Sequence, residues 1–159
     1  MTKELVQAYT ARISQASRSE LVVIMYEIAI NNLQSAKNAY WDGDMAVYIK
    51  ELNQARKFLN ELMASLNYSY KVSYELMSLY IYVNKAIITA LFKKVPDTLD
   101  SAISILNKLM SGFIEVSRMD TSGPVMQNTQ QLYAGLTYGK SSLNEVSIDP
   151  REQNRGYKV

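Results

Sequence analysis

Four glutamates, Glu27, Glu51, Glu61 and Glu75, sit on segments of helical periodicity and could in principle meet, the first requirement of a carboxylate-bridged metal site or an acid–base pair. Helical sites of that kind are completed by histidine, and this chain contains neither histidine nor cysteine. The absence removes the usual general base, the Ser-His triad, thiolate chemistry and any disulfide. Catalysis would have to run on Asp, Glu, Lys or Tyr alone. With no histidine to complete a site, the four glutamates are read as solvated faces, so no catalytic residue, metal ligand or cofactor is expected and the chain is read as a non-enzyme.

Two other patterns invite a chemical reading. Gly139-Lys140-Ser141 has the form of the end of a phosphate-binding loop, but Ala134 holds the place of the upstream glycine and no strand pattern precedes it, which makes it a linker. Tyr68, Tyr70 and Tyr74 offer faces on which bases would stack. No arginine cluster accompanies them, and Arg56, Lys57, Lys85, Lys93 and Lys94 are dispersed rather than striped. With 17 basic against 15 acidic residues and a net charge of +2, no strong field points to nucleic acid or to an anionic membrane. These tyrosines are read as loop packing.

The chemistry left is apolar contact. From Leu76 to Phe92 one stripe runs through Leu76, Leu79, Tyr80, Val83, Ile87 and Leu91 at the spacing that faces a core. Met77, Ile81, Ile88 and Phe92 line a second side. A small bundle buries one such stripe per helix; the second needs a partner or the chain's own tail to cover it. Twelve Tyr and eight Met, beside three Phe and one Trp, also suit an adaptable contact surface better than a rigid core.

The elements that must position this surface are helical. Leu5, Val6, Tyr9 and Ile13 give a short amphipathic segment within residues 1–15, a turn or two of helix that is marginal alone. Ser17 with Glu20 forms a capping box, so the first long helix starts there and stops near Gly43. Asp44 caps the second, whose stripe includes Met45, Ile49, Leu52, Leu59, Leu62, Met63 and Leu66, widened by Tyr48, Ala55 and Phe58. Ser73 opens the third. Pro96 ends it, and Asp97 or Thr98 caps a fourth carrying Leu99, Ala102, Ile103, Leu106, Leu109, Met110 and Phe113.

Short connections predict an all-α, antiparallel up-down-up-down four-helix bundle over residues 16–117. Residues 118–159 read as a mostly irregular C-terminal extension, partly disordered, with one short helix over Gln127 to Thr137. The segment from Val125 to Leu136, bearing Leu132 and Tyr133, is expected to lie back on the bundle and compete for its groove. No run reaches the roughly 18 consecutive apolar residues of a membrane span, and the N-terminus lacks the apolar region of a signal peptide. A soluble, cytoplasmic protein is expected.

Taken in order, these residues resemble the flagellin-specific export chaperones, the FliS family, over about residues 5 to 113. A tyrosine ahead of the first long helix stands as Tyr9. The family's Ala-Ser-Pro-x-Glu-Leu opening and following Tyr-Asp stand as Ala16-Ser17-Arg18-Ser19-Glu20-Leu21 and Tyr26-Glu27. Its Gly-Asp turn is Gly43-Asp44, its Leu-x-x-Ala is Leu52 and Ala55, and its Leu-Tyr-x-Tyr is Leu79-Tyr80-Ile81-Tyr82. Arg18 replaces a Pro, Ile28 a Gly, Ile81 an Asp, Ala86 an Arg, Leu91 an Asn and Phe113 a Trp, so the surface of the third helix is greasier than the family pattern.

The resemblance implies a cytoplasmic chaperone that binds the disordered C-terminal segment of flagellin, prevents its early polymerisation and brings it to the flagellar type III export gate. On that reading Ile49, Leu52, Phe58, Leu62, Met77, Tyr80, Ile81, Ile88 and Phe92 form the flagellin groove. Leu5, Val6, Tyr9 and Ile13 form an N-terminal clamp over part of it and a docking patch for an export-gate component. Other flagellar regulators are further candidate partners. The competing reading is a homodimeric helical structural or adaptor protein whose two-fold interface uses the same stripe.

Overall fold

The computed structural model describes residues 1–125, which form five α-helices and, among the described residues, no strand. The Gly139-Lys140-Ser141 loop, the short helix over residues 127–137 and all of the groove-competing segment beyond Val125 lie outside the described residues.

The N-terminal segment is a full helix, α1 (Lys3–Gln15), longer than the turn or two expected, with Thr2 Oγ1 accepting from the Leu5 N–H at 3.3 Å. Ala16 and Ser17 break it. Helix α2 (Arg18–Trp41) opens on the expected capping box: the Glu20 N–H donates to Ser17 Oγ and the Ser17 N–H to the Glu20 carboxylate. Gly43, at φ 77°, reverses the chain in the left-handed region, where a side chain would be strained. The Asp44 carboxylate then accepts from the Val47 N–H at 3.0 Å to start α3 (Met45–Ala64).

Helix α4 (Val72–Lys93) begins one residue before the expected Ser73, which is instead buried with its hydroxyl donating to the Asn67 carbonyl at 2.6 Å. It ends at Lys94 in the left-handed conformation, φ 55°, just before Val95-Pro96. Helix α5 (Leu99–Met119) lacks the side-chain cap expected from Asp97 or Thr98. The Thr98 hydroxyl is engaged elsewhere, donating to the Ala86 carbonyl at 2.6 Å and tying the loop to α4.

Helix α2 packs on α3 and α5, α4 packs on the same two, and α1 lies against α2. The main core collects Tyr26 and Leu33 from α2, Tyr48 and Leu59 from α3, Val83 and Ile87 from α4, and Leu99 and Leu106 from α5. A second, smaller core joins Val6, Tyr9 and Ile13 of α1 to Ile24 and Ile28 of α2. At one end of the molecule Asp120 accepts from both the Ser19 N–H and hydroxyl, and the Val125 N–H donates to the Ala16 carbonyl at 3.1 Å. Those bonds from Ser19 and from Ser122 hold the Asp120 carboxyl well below its ordinary range, those from Ser122 most strongly.

Every apolar run is interrupted, as expected, yet α4 as a whole is long and apolar enough, by length and composition only, to cross a membrane, as core helices of bundles also are. Its composition follows from carrying two apolar sides: 33% of that window is buried, the core stripe against α3 and α5, and much of the remainder is the second strip.

Candidate partner-binding surface

Helix α4 presents its two sides at the spacing its sequence dictates. Leu76, Tyr80, Val83, Ile87 and Ala90 recur every three or four residues and are buried. A quarter to a third of a turn away, Ile81 is 44% exposed, Ile88 41% and Phe92 87%, with Met77 half-buried in the same row. Burying an aliphatic or aromatic side chain of this size stabilises by roughly 1.5 to 3 kcal/mol, so the strip holds a free energy that the monomer leaves unused.

Helix α3 borders the strip. The Arg56 Nε–H donates to Asn84 Oδ1 at 3.3 Å, and the Tyr48 hydroxyl donates to the Ala90 carbonyl at 2.9 Å, fixing α4 against α3 along this seam. Burial, then the neighbouring Tyr40 and Asp97, push the Tyr48 hydroxyl up to about 12. Ile49, half-buried, shares the helix side of Arg56 two turns away and so belongs to this border. Lys85, Lys93 and Lys94 are exposed beside or beyond the strip and give it a basic rim.

Three residues expected in the groove are not available to a partner. Leu52 and Leu62 are wholly buried, and Tyr80 is buried with its hydroxyl hydrogen-bonded to that of Tyr26. Their spacing marked an apolar stripe correctly, but that stripe is the one the bundle itself consumes. Phe58 is half-buried on the other side of α3 from Ile49, packed against the small core under α1, so it does not join the α4 strip.

Helix α1 covers that second region. Val6, Tyr9 and Ile13 are buried and Leu5 half-buried, over Leu21, Ile24, Ile28 and Phe58. Polar contacts position it: Asn31 Nδ2 donates to the Tyr9 hydroxyl, and Arg12 forms a forked pair with Glu27 while its guanidinium lies 5.6 Å from the Tyr9 ring centroid. The bond to Glu27 holds the Arg12 guanidinium protonated more firmly, and burial, with Glu27 nearby, raises the Tyr9 hydroxyl. The Met1 ammonium donates to Glu51 Oε1 at 3.0 Å.

Sequence reasoning missed the state of two polar residues and several exposed rings. Glu51, expected on a solvated face, is only 4% exposed, and its Oε2 has no hydrogen-bond partner among the described residues; Asn32 is buried with its Nδ2 likewise unpaired among them. A signal existed, since Glu51 lies three residues after buried Tyr48 and directly before buried Leu52. The four glutamates do not converge: Glu27 pairs with Arg12, Glu75 is exposed in the first turn of α4, and no group of three metal-binding side chains occurs among the described residues. Trp41, Tyr70, Tyr74 and Tyr82 are exposed rings not assigned to the groove, and Tyr68, itself exposed, meets Tyr74 at 5.0 Å between ring centroids with the planes tilted by 59°. What this surface offers is apolar area, a lysine rim and one interred carboxylate, the groups that hold an amphipathic segment.

A family model described as flagellar protein FliS matches residues 1–120, from α1 through the aspartate that closes α5 onto α2. No curated protein matches the chain.

Proposed function

The chain belongs to the FliS family of flagellar proteins, and on that footing we propose that it is a cytoplasmic export chaperone which binds the disordered C-terminal segment of flagellin, keeps it from polymerising early and brings it to the flagellar type III export apparatus. The observation that carries this reading is the exposed row Ile81, Ile88 and Phe92 on a helix whose other side is already core. Because Ile81, Ile88 and Met77 are already more than half covered, these four contacts supply roughly 3 to 6 kcal/mol gross. Ordering a disordered segment costs about 2 to 5 kcal/mol or more, so specific binding also draws on the apolar floor beneath α1.

In this reading residues 16–117 are an up-down-up-down bundle, supported by the end-to-end pairings Lys37 with Asp100, Ser19 with Asp120 and Tyr48 with Ala90. Residues 1–15 are a clamp, with Leu5, Val6, Tyr9 and Ile13 also a docking patch for an export-gate component, and residues 118–159 an extension. The flagellin segment lies along Met77, Ile81, Ile88 and Phe92 with Ile49 at its edge. A second amphipathic piece takes the place of α1 over Phe58.

Titration calorimetry of a synthetic flagellin C-terminal segment against the full chain tests this. Binding that is lost in Ile81→Glu plus Ile88→Glu supports it. Absence of binding, together with a stable dimer in light scattering that ignores the segment, would favour the homodimeric adaptor instead.

A further inference from the structure

Beneath α1 lies a carboxylate that the bundle does not use. Glu51 is buried on α3 with one oxygen receiving the Met1 ammonium at 3.0 Å and the other receiving nothing. Among the described residues no second ion pair reaches this carboxylate, so removing that ammonium leaves an interred anion without its counter-charge, a costly state. Whatever displaces α1 must therefore bring a cation of its own or leave that cost unmet.

The seated α1 also shows the shape of what fits. It places Val6, Tyr9 and Ile13, at i, i+3 and i+7, onto Leu21, Ile24, Ile28 and Phe58, and sets its positive nitrogen N-terminal to the first of them. A helix of 13 residues is marginal in isolation, so α1 depends on this contact and is the element most easily exchanged. Its replacement sees the same apolar floor and the same anion.

Resting on the chaperone reading above, we infer that Glu51 is a cation-recognition point of the α1-covered groove: the partner segment that replaces α1 presents a lysine or arginine to Glu51, N-terminal to apolar residues spaced i, i+3, i+7. The carboxylate then selects both the register and the direction of the bound helix, because only one orientation brings the cation to the α3 end of the groove where Met1 sits.

The test is a thermodynamic cycle. A synthetic flagellin C-terminal segment, and versions with each lysine or arginine replaced in turn by norleucine, are titrated into the full chain and into Glu51→Gln. Releasing α1 strengthens every version alike in the variant and cancels from the cycle. The expected result is one version whose binding falls about tenfold against the unaltered chain and is unchanged against Glu51→Gln. Should Glu51→Gln not fold, Glu51→Asp, which keeps the charge but withdraws it by one methylene, shows the same penalty reduced several-fold. Equal penalties in both proteins for every version overturn the assignment while leaving the chaperone reading intact. No binding of any version to the unaltered chain overturns both.

Discussion

The hydroxyls of Tyr26 on α2 and Tyr80 on α4 share a hydrogen bond within the core of the bundle, linking two helices whose backbones each pack on α3 and α5. Their rings stand 6.2 Å apart, and Phe113 of α5 closes on Tyr26 at 5.4 Å. Burial raises both hydroxyls above their ordinary range, so the pair stays protonated and one O–H always has its acceptor. Tyr80, adjacent to exposed Ile81, thus anchors the helix whose other side is offered to a partner.

Tyr80→Phe leaves the Tyr26 hydroxyl buried without its partner and should destabilise the fold by about 1 to 3 kcal/mol in urea denaturation. Adding Tyr26→Phe should recover part of that loss, since two apolar rings leave nothing unsatisfied. A double variant no better than the single would show that packing, not the hydrogen bond, is what Tyr80 supplies.

Alkaline pH should weaken the fold through Tyr48. Its hydroxyl rises from 10.0 to about 12 on folding, so the folded state holds its proton more tightly and the stabilisation is complete below pH 10. It is lost as pH climbs from 10 towards 12, by roughly 2 kcal/mol at most. The Tyr48→Phe variant, compared by denaturation at pH 9 and pH 11.5, should lose less stability between the two than the parent chain.

Ile81→Glu and Ile88→Glu replace exposed side chains and should shift the melting free energy by no more than about 0.5 kcal/mol each. Binding of the flagellin segment should weaken at least about tenfold for either change, because a buried carboxylate then has no partner. Calorimetry giving the parent affinity would take α4 out of the binding surface.

Ile13→Ala removes a buried anchor of α1 at a cost of about 2 to 5 kcal/mol, a large part of the roughly 4.5 to 9 kcal/mol that the three buried side chains of α1 hold together. Amide exchange over residues 3–15 should accelerate while α2 to α5 keep their protection. If α1 competes with the partner, the segment's affinity rises about threefold or more. A fall would make α1 part of the bound surface.

Ser19→Ala removes the hydroxyl that helps hold Asp120 deprotonated and leaves the backbone N–H at that position in place. The Asp120 carboxyl, depressed in the folded chain, contributes stability that is present above its unfolded value of 3.8 and is lost as pH falls below it. In a carbon-detected NMR titration its midpoint should move upward in the variant, with residual depression from Ser122.

Much of the fold was legible in the residues. The Ser17–Glu20 capping box, the Gly43 reversal, the Asp44 cap and the two-sided pattern of α4 each depend on side chains within a few positions of one another, and local geometry decides them. That the expected Thr98 cap would not form was not legible, because its hydroxyl donates instead to the Ala86 carbonyl twelve residues away.

The sequence by itself determined that α4 carries two apolar sides, since helical spacing is a property of the chain alone. Only the tertiary structure decided which side a partner can reach. Leu52, Leu62 and Tyr80 are large and mainly apolar, as are Ile49, Met77 and Ile81, yet the first three are interior because α2 and α5 approach from that direction. Likewise only the tertiary structure placed Glu51 in the interior, with the Met1 ammonium against it. Burial is set by what arrives from elsewhere in the chain, and no single helix encodes its neighbours.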